Sequence, residues 1–259
     1  MALRLLALHG FGQNAAVFAE KRIKELSRKL KATVTFHCLD APHVLPYDAS
    51  LRGWWSYPEE LWDGRADTIQ ALAEQLLQQP DFQPKGLEES FDLVLEEWRK
   101  GGYDGILGFS QGAILAAAVC AELHRRGPAA GARPRLVVLI SGFGKPVPRG
   151  LEAYPPSEPL PIPSLHIWGE ADDHIPAWAS QAMAAYFREP QTYAHPGQHF
   201  VPQKAADVKV FQDFLSAFPP SSAPAPAAEP RPNGKAASPT ARGAPARGAA
   251  APAAGGAAP

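Results

Sequence analysis

A serine at position 110 stands in the middle of the pattern Gly108-Phe109-Ser110-Gln111-Gly112, which has the form Gly-x-Ser-x-Gly. The apolar run before it predicts a strand, and the alanine-rich run after it predicts a helix. A serine on such a sharp strand-to-helix turn is presented as a nucleophile, and the small glycines leave room for the strained backbone. The helix N-terminus also directs free N–H groups at the reacting centre. The pattern therefore predicts nucleophilic chemistry at Ser110.

A serine hydroxyl needs a general base, and the base needs a group that orients it. On a sheet of this type, the expected chain order is serine, then an acid, then histidine. The acid is expected in the loop 169–176, where Asp172 and Asp173 compete and Glu170 is a weaker alternative. The bend at the start of this loop, followed three residues later by an acid, favours Asp172 as the orienting carboxylate.

The candidates for the base are His195 and His199. His199 follows a glycine and precedes an apolar pair near the last predicted helix, whereas His195 comes directly off a strand. We therefore favour His199 and keep His195 as an alternative. His174 lies beside two aspartates, but no further ligand pair follows at zinc spacing. We predict neither a metal nor a cofactor.

Two backbone N–H groups are expected to stabilise the oxyanion of an acyl-transfer reaction. One is the N–H of Gln111, the residue after the nucleophile. The other is expected from the glycine-containing loop His9-Gly10-Phe11-Gly12, with the N–H of Phe11 as the candidate. Glycine beside Phe11 lets the backbone approach a substrate closely.

Strands and helices alternate over residues 1–218, which predicts an α/β fold with a doubly wound, mostly parallel sheet and helices on both faces. In such sheets the reactive loops gather at the carboxyl ends of the strands. Strands are predicted at residues 3–8, 34–39, 135–140, 164–168 and 191–194, and in the run before the serine. Helices are predicted at residues 17–30, 68–77, 86–100, 111–126, 177–187 and 205–218.

Two long segments, 44–66 and 144–163, are predicted to be irregular. The first is rich in large aromatic residues, which form either a pocket wall or a part of the core. We take Trp54, Trp55 and Phe109 as candidates for the substrate pocket.

The composition bounds the remaining possibilities. Residues 219–259 consist almost wholly of Ala, Pro, Gly and Ser, and are predicted to be a disordered tail. A formal net charge of -1 gives no reason to expect a nucleic-acid partner. No run approaches a membrane span, and the cysteines, Cys38 and Cys120, lie in apolar runs typical of free thiols in a reducing compartment. We expect a cytoplasmic protein acting on a small molecule; its oligomeric state is unknown.

Several motifs together resemble the FSH-type serine hydrolases of the α/β-hydrolase superfamily, the family that includes the OVCA2-like proteins. These motifs span nearly all of residues 3–218: 8–13 (LHGFGQ), 40–43 (DAPH), 52–55 (RGWW), 86–90 (GLEES), 105–113 (GILGFSQGA), 141–143 (SGF), 169–176 (GEADDHIP) and 197–200 (GQHF).

The resemblance implies a triad of Ser110, Asp172 and His199, and hydrolysis of carboxylic esters, or of thioesters in some members. One departure is Gln198, which stands where the family often has a second glycine before the histidine. A non-catalytic binding protein on the same fold is the alternative from another class.

Overall fold

Six parallel strands form the main sheet in the part of the chain that the computed structural model describes, residues 2–56, 84–127, 132–144 and 154–220. A separate two-stranded antiparallel hairpin lies between residues 43 and 53. In chain order the strands are β1 (Leu3–Leu8), β2 (Val34–Leu39), β3 (His43–Leu45), β4 (Asp48–Gly53), β5 (Gly105–Phe109), β6 (Leu136–Ile140), β7 (Ser164–Gly169) and β8 (Gln191–His195). The order across the main sheet is β2-β1-β5-β6-β7-β8.

Helices cover both faces of this sheet, as predicted. They are α1 (Ala15–Val17), a π-helical turn (Phe18–Arg22), α2 (Lys24–Lys29), α3 (Leu87–Lys100), α4 (Gln111–Arg126), α5 (Ala177–Ala184) and α6 (Ala205–Ser216).

Successive side chains of each strand point to opposite faces, so the sheet divides the core into two layers. On β1, Leu3 and Leu5 pack with residues of α2 and α6, whereas Leu6 and Leu8 pack with residues of α3 and α4. Strands buried on both faces are the reason why the sequence shows continuous apolar runs there.

The first helical region is interrupted, which corrects the prediction of one helix over 17–30. Asn14 caps α1 earlier than predicted, because its side chain accepts a hydrogen bond from the N–H of Val17. A π turn follows, closed by the bond from Ile23 N–H to the carbonyl of Phe18, 3.0 Å. The wider turn allows Phe18, Ile23 and Leu26 all to be buried.

The prediction that residues 44–66 are irregular is wrong at its start, where β3 and β4 pair with a register shift between Val44 and Leu45. That shift breaks the alternation by which a hairpin is recognised in a sequence. Residues 57–83, which include the predicted helix 68–77, lie outside the described residues. The same is true of residues 145–153 and of nearly all of the predicted tail 219–259.

All strands of the main sheet run in the same direction, so the loops after them emerge at one edge. The loop after β1 contains Phe11, the turn after β5 contains Ser110, and the loops after β7 and β8 contain Asp172 and His199. Every sequence-predicted catalytic group is therefore delivered to the same edge.

At the opposite edge, Asp104, just before β5, joins β1 to the segment that leads into β6 and is only 3% exposed. Its carboxylate accepts hydrogen bonds from the backbone N–H of Arg4, 2.9 Å, and from Nη1 of Arg135, 2.6 Å.

Asp104→Ala should lower the free energy of unfolding by about 2–3 kcal/mol, because hydrogen bonds to a charged group are lost inside the protein. Urea unfolding measures the change.

The matched control is Asp213→Ala, which removes an exposed ion pair with Lys209 on α6. It should cost only about 0.3–0.5 kcal/mol. An equal loss in the two variants would contradict the role given to Asp104.

Candidate active site

The turn at Ser110 is strained, with φ 54° and ψ −119° at a residue that is not glycine. Contacts on both sides hold it: its N–H donates to the carbonyl of Ile140, 2.8 Å, and its carbonyl accepts from the N–H of Ala113, 2.9 Å. The flanking glycines permit the close packing. A Cβ atom on Gly108 would lie 2.6 Å from Cα of Ala113, and one on Gly112 would lie 2.6 Å from the carbonyl oxygen of His9. The surrounding backbone thus holds the backbone of Ser110 in an unfavourable conformation.

The three residues of the predicted relay lie in one hydrogen-bonded line. His199 Nε2 is 3.0 Å from Ser110 Oγ, and His199 Nδ1 is 2.8 Å from Asp172 Oδ2. The carboxylate can only accept at neutral pH, so Nδ1 carries the proton and Nε2 is left as an acceptor facing the serine. This is the tautomer that a general base for Ser110 requires.

Asp172 is buried as an ionised group with a full set of donors. Its side chain has no exposed surface, and Oδ1 also accepts from the backbone N–H groups of His174, 2.9 Å, and Ile175, 2.8 Å. Burial by itself would raise the pKa of Asp172, but the hydrogen bond and charge of His199 and these N–H groups outweigh it and hold the pKa below its usual range. The carboxylate is therefore charged at neutral pH, as an orienting group must be.

Two rings pack against the His199 imidazole. The ring of His174 is stacked on it, with centroids 4.7 Å apart and planes 8° apart, and the ring of Phe109 lies 4.9 Å away. Phe109 is only 2% exposed and also stacks on Phe18. Phe109, taken from the sequence as a pocket residue, is thus a support for the imidazole in this structure.

The other two candidates for the pocket, Trp54 and Trp55, are both fully buried. The structure places them in the core beside α3 and α4, which is the alternative that the sequence left open for aromatic residues in this segment. Sequence reasoning did not find that the indole N–H of Trp54 bonds to the loop after β1. The bond joins residues 45 positions apart, and no local pattern signals it.

The loop expected to supply an oxyanion donor passes directly against the nucleophile. A Cβ atom on Gly10 would lie 3.3 Å from Cβ of Ser110. Phe11 follows in this loop, and Gln111 is the first residue of α4. The loop that contains Phe11 and the helix that begins at Gln111 therefore both adjoin the serine.

The competing acid and base occupy other positions. Asp173 is exposed and lies 2.8 Å from Nδ1 of His174. His195 is buried, accepts from the N–H of Gly197 at 3.2 Å and packs on the ring of Phe200.

Asp172, Asp173 and His174 offer ligand atoms within 4.8 Å of one another, but Asp172 already accepts hydrogen bonds from His199 and from two backbone N–H groups. That arrangement suits an orienting carboxylate better than a metal ligand.

The parallel sheet, the strained serine turn and the acid and histidine on later loops define the α/β-hydrolase fold. Solved structures agree on the fold: esterase PE8 has a TM-score of 0.55 with 20% identity, covering 83% of this chain and 92% of that one. SOBER1 of Arabidopsis thaliana has a TM-score of 0.52 with 19% identity, covering 84% and 99%.

The family model described as Serine hydrolase (FSH1) matches residues 1–211, and the chain belongs to this family. Its relatives include Esterase OVCA2 of Mus musculus, 36% identical over 233 residues, which are 83% of this chain and 96% of that protein. Esterase OVCA2 of Danio rerio is 33% identical over 237 residues, 83% and 97% of the two chains. The resemblance found in the sequence motifs is confirmed.

None of the helices in the described ranges is long and apolar enough to cross a membrane.

The two neighbouring aspartates provide a direct test of the orienting role. Asp172→Asn should lower kcat by about 10⁴-fold, because the amide no longer enforces the tautomer with a free Nε2. Asp173→Asn, on the exposed side of the same loop, should leave kcat nearly unchanged. Steady-state hydrolysis of a p-nitrophenyl ester measures both variants, and the reverse result would assign the orienting role to Asp173.

Proposed function

We propose that this chain is a serine esterase that hydrolyses carboxylic esters through an acyl-enzyme on Ser110. The observation that carries the proposal is the continuous line from Ser110 Oγ through His199 to the buried Asp172, with links of 3.0 and 2.8 Å. The relatives named esterases, which cover most of the chain, support the same activity.

In this mechanism, His199 Nε2 takes the proton of Ser110 as Oγ attacks the acyl carbon. The alkoxide of the tetrahedral intermediate points at the N–H groups of Phe11 and Gln111. His199 then returns the proton to the leaving alcohol, and the ester bond breaks. Water attacks the acyl-enzyme with His199 again as the base, which releases the acid and restores the serine.

The oxyanion donors carry much of the expected rate enhancement. Removing one such donor typically costs about 2.7–4 kcal/mol of transition-state stabilisation. Gln111 also lies at the N-terminus of α4, a helix of 16 residues, so its N–H belongs to the positive end of the helix dipole. The developing negative charge is thus met by fixed dipoles, with no reorganisation during the reaction.

We propose that the acyl group of the ester substrate is apolar. Two large apolar side chains are exposed just after the catalytic loops: Phe200, next to His199, and Trp178, at the start of α5, 53% exposed. A cleft of about 430 Å³ lies instead between the β3–β4 hairpin and the start of α3, lined among others by Pro42, Val44 and Lys85. None of its lining residues belongs to the relay, so we do not assign the acyl group to that cleft.

An acyl-thioesterase is the competing activity, since a thioester would be attacked by the same serine. A binding protein on the same fold is a weaker alternative, because it would have no need of a complete relay. No cofactor is required by the proposed chemistry, and the cytoplasmic location stays a prediction.

An active-site probe tests the nucleophile. A fluorophosphonate should label the wild-type protein covalently, because a basic imidazole activates the Ser110 hydroxyl. Ser110→Ala should abolish labelling, as measured by in-gel fluorescence and intact mass. Ser141→Ala is a suitable control, since Ser141 is also a buried serine at a strand end with a positive φ. Labelling that persists in Ser110→Ala would contradict the proposal.

Substrate preference is tested by p-nitrophenyl esters of increasing acyl length beside the matched acyl-thioesters. An apolar acyl site predicts that kcat/KM rises from acetate to medium-length chains, since each buried CH₂ contributes about 0.8 kcal/mol to binding. Higher kcat/KM for the thioesters at every length would favour the thioesterase instead. Equal values from acetate upwards would contradict an apolar acyl group.

A further inference from the structure

Trp54 uses its three polar groups to connect segments that are far apart in the chain. Its indole Nε1–H donates to the carbonyl of His9, 2.8 Å. Its backbone N–H donates to Oε1 of Gln111, 2.7 Å. Its carbonyl accepts a short hydrogen bond from Oγ of the fully buried Ser90, on α3. A fully buried residue is therefore satisfied by partners on three different elements.

Two of these partners belong to the segments that carry the oxyanion donors. His9 lies two residues before Phe11, and Gln111 is itself the second donor. The side chain of Gln111 turns into the core, where Nε2 also donates to the carbonyl of Trp55, 3.1 Å. The side-chain amide is thus held at both ends, which fixes the first turn of α4.

The first oxyanion loop is fixed as tightly. His9 is fully buried; its Nε2 accepts from the N–H of Ala41, 3.1 Å, so its Nδ1 carries the proton and donates to the carbonyl of Gly10, 2.8 Å. Burial lowers the pKa of His9, in keeping with a neutral ring. Its carbonyl, which the Trp54 indole binds, also lies against Gly112 at the start of α4. The carbonyl that the indole binds is therefore part of the contact between the two oxyanion segments, together with the neighbouring carbonyl of Leu8.

We propose that Trp54 is a positioning residue of the oxyanion hole, holding the loop after β1 and the first turn of α4 at a fixed separation. It acts through the indole bond to His9 and the backbone bond to Gln111, and it does not touch the substrate. Ser90 in turn anchors Trp54 to α3. The inference rests on the proposed ester hydrolysis. It gives Trp54 a positioning role in place of the substrate-pocket role predicted from the sequence.

Transition-state stabilisation depends on this separation, whereas substrate binding depends on it far less. Donors serve the oxyanion only when they lie within about 2.7–3.1 Å of where it forms. A small shift of one segment weakens that contact in the transition state and leaves the bound ester largely unaffected. A positioning defect thus lowers kcat at nearly constant KM.

The test is Trp54→Phe, which keeps a buried aromatic ring and removes the indole donor together with part of the ring volume. The matched control is Trp98→Phe, because Trp98, near the C-terminal end of α3, is also buried and its Nε1–H donates to the carbonyl of Ala132, 2.7 Å. Both variants should lose a similar amount of thermal stability. We expect Trp54→Phe alone to lower kcat by about 10- to 100-fold, somewhat less than the loss of a whole donor.

A second readout separates positioning from general damage. A trifluoromethyl ketone adds to the serine as a tetrahedral oxyanion, so its inhibition constant reports on the oxyanion hole directly. Trp54→Phe should weaken this inhibitor by the same factor as it lowers kcat, with KM for a p-nitrophenyl ester nearly unchanged. Trp98→Phe should change none of these three quantities.

Ser90→Ala gives an independent variant if Trp54→Phe does not fold. It removes the anchor of Trp54 on α3 and should shift kcat and the inhibition constant together, in the same direction and to a smaller extent. The inference is overturned if the wild-type protein is active but Trp54→Phe and Trp98→Phe have equal kcat and equal inhibition constants. A change in KM alone in Trp54→Phe would overturn it as well. An inactive wild-type protein that also fails to bind the ketone would refute the esterase proposal itself.

Discussion

The positive φ of Ser110 is the constraint on which the rest of the site depends. A serine adopts this conformation at a cost of order 1–3 kcal/mol, so the surroundings must enforce it. Here β5, β6 and the first turn of α4 do so, because α4 starts so close to β1 that Gly112 has no space for a side chain. The same close approach brings the loop after β1 against the nucleophile. One packing contact therefore places both the serine and the first oxyanion segment.

Packing positions the serine, and the charge and hydrogen bonds of Asp172 position the histidine. Asp172 is buried and charged, a state that is stable only because its oxygens accept from His199 and two backbone N–H groups. These bonds leave the carboxylate a single orientation, and that orientation fixes the tautomer of His199. The loop after β7 is thus a rigid part of the relay, although it has no regular secondary structure. Rings of Phe109 and His174 then limit the movement of the imidazole.

Much of this arrangement could be predicted from the sequence. Continuous apolar runs marked the strands buried on both faces, and the order serine, acid, histidine selected the residues that the structure brings into hydrogen-bonding distance. The choice of Asp172 over Asp173 depended on local spacing and on the family resemblance. The interruption after Val17 and the β3–β4 hairpin were missed because a π turn and a shifted register remove the regular periods on which such predictions depend.

The role of Trp54 shows a different limit. The residue type and the neighbouring sequence indicated only a large apolar side chain in a segment with no clear periodicity. Such a side chain can lie equally well in the core or in a substrate pocket. What decides between them is a set of hydrogen bonds to partners 36, 45 and 57 residues away, and these follow from the tertiary fold. A tryptophan suits this place because it fills the core and still carries one donor. The indole N–H that reaches His9 is thus a specific contact, because leucine or phenylalanine in this place would be apolar and would leave the carbonyl of His9 without this donor.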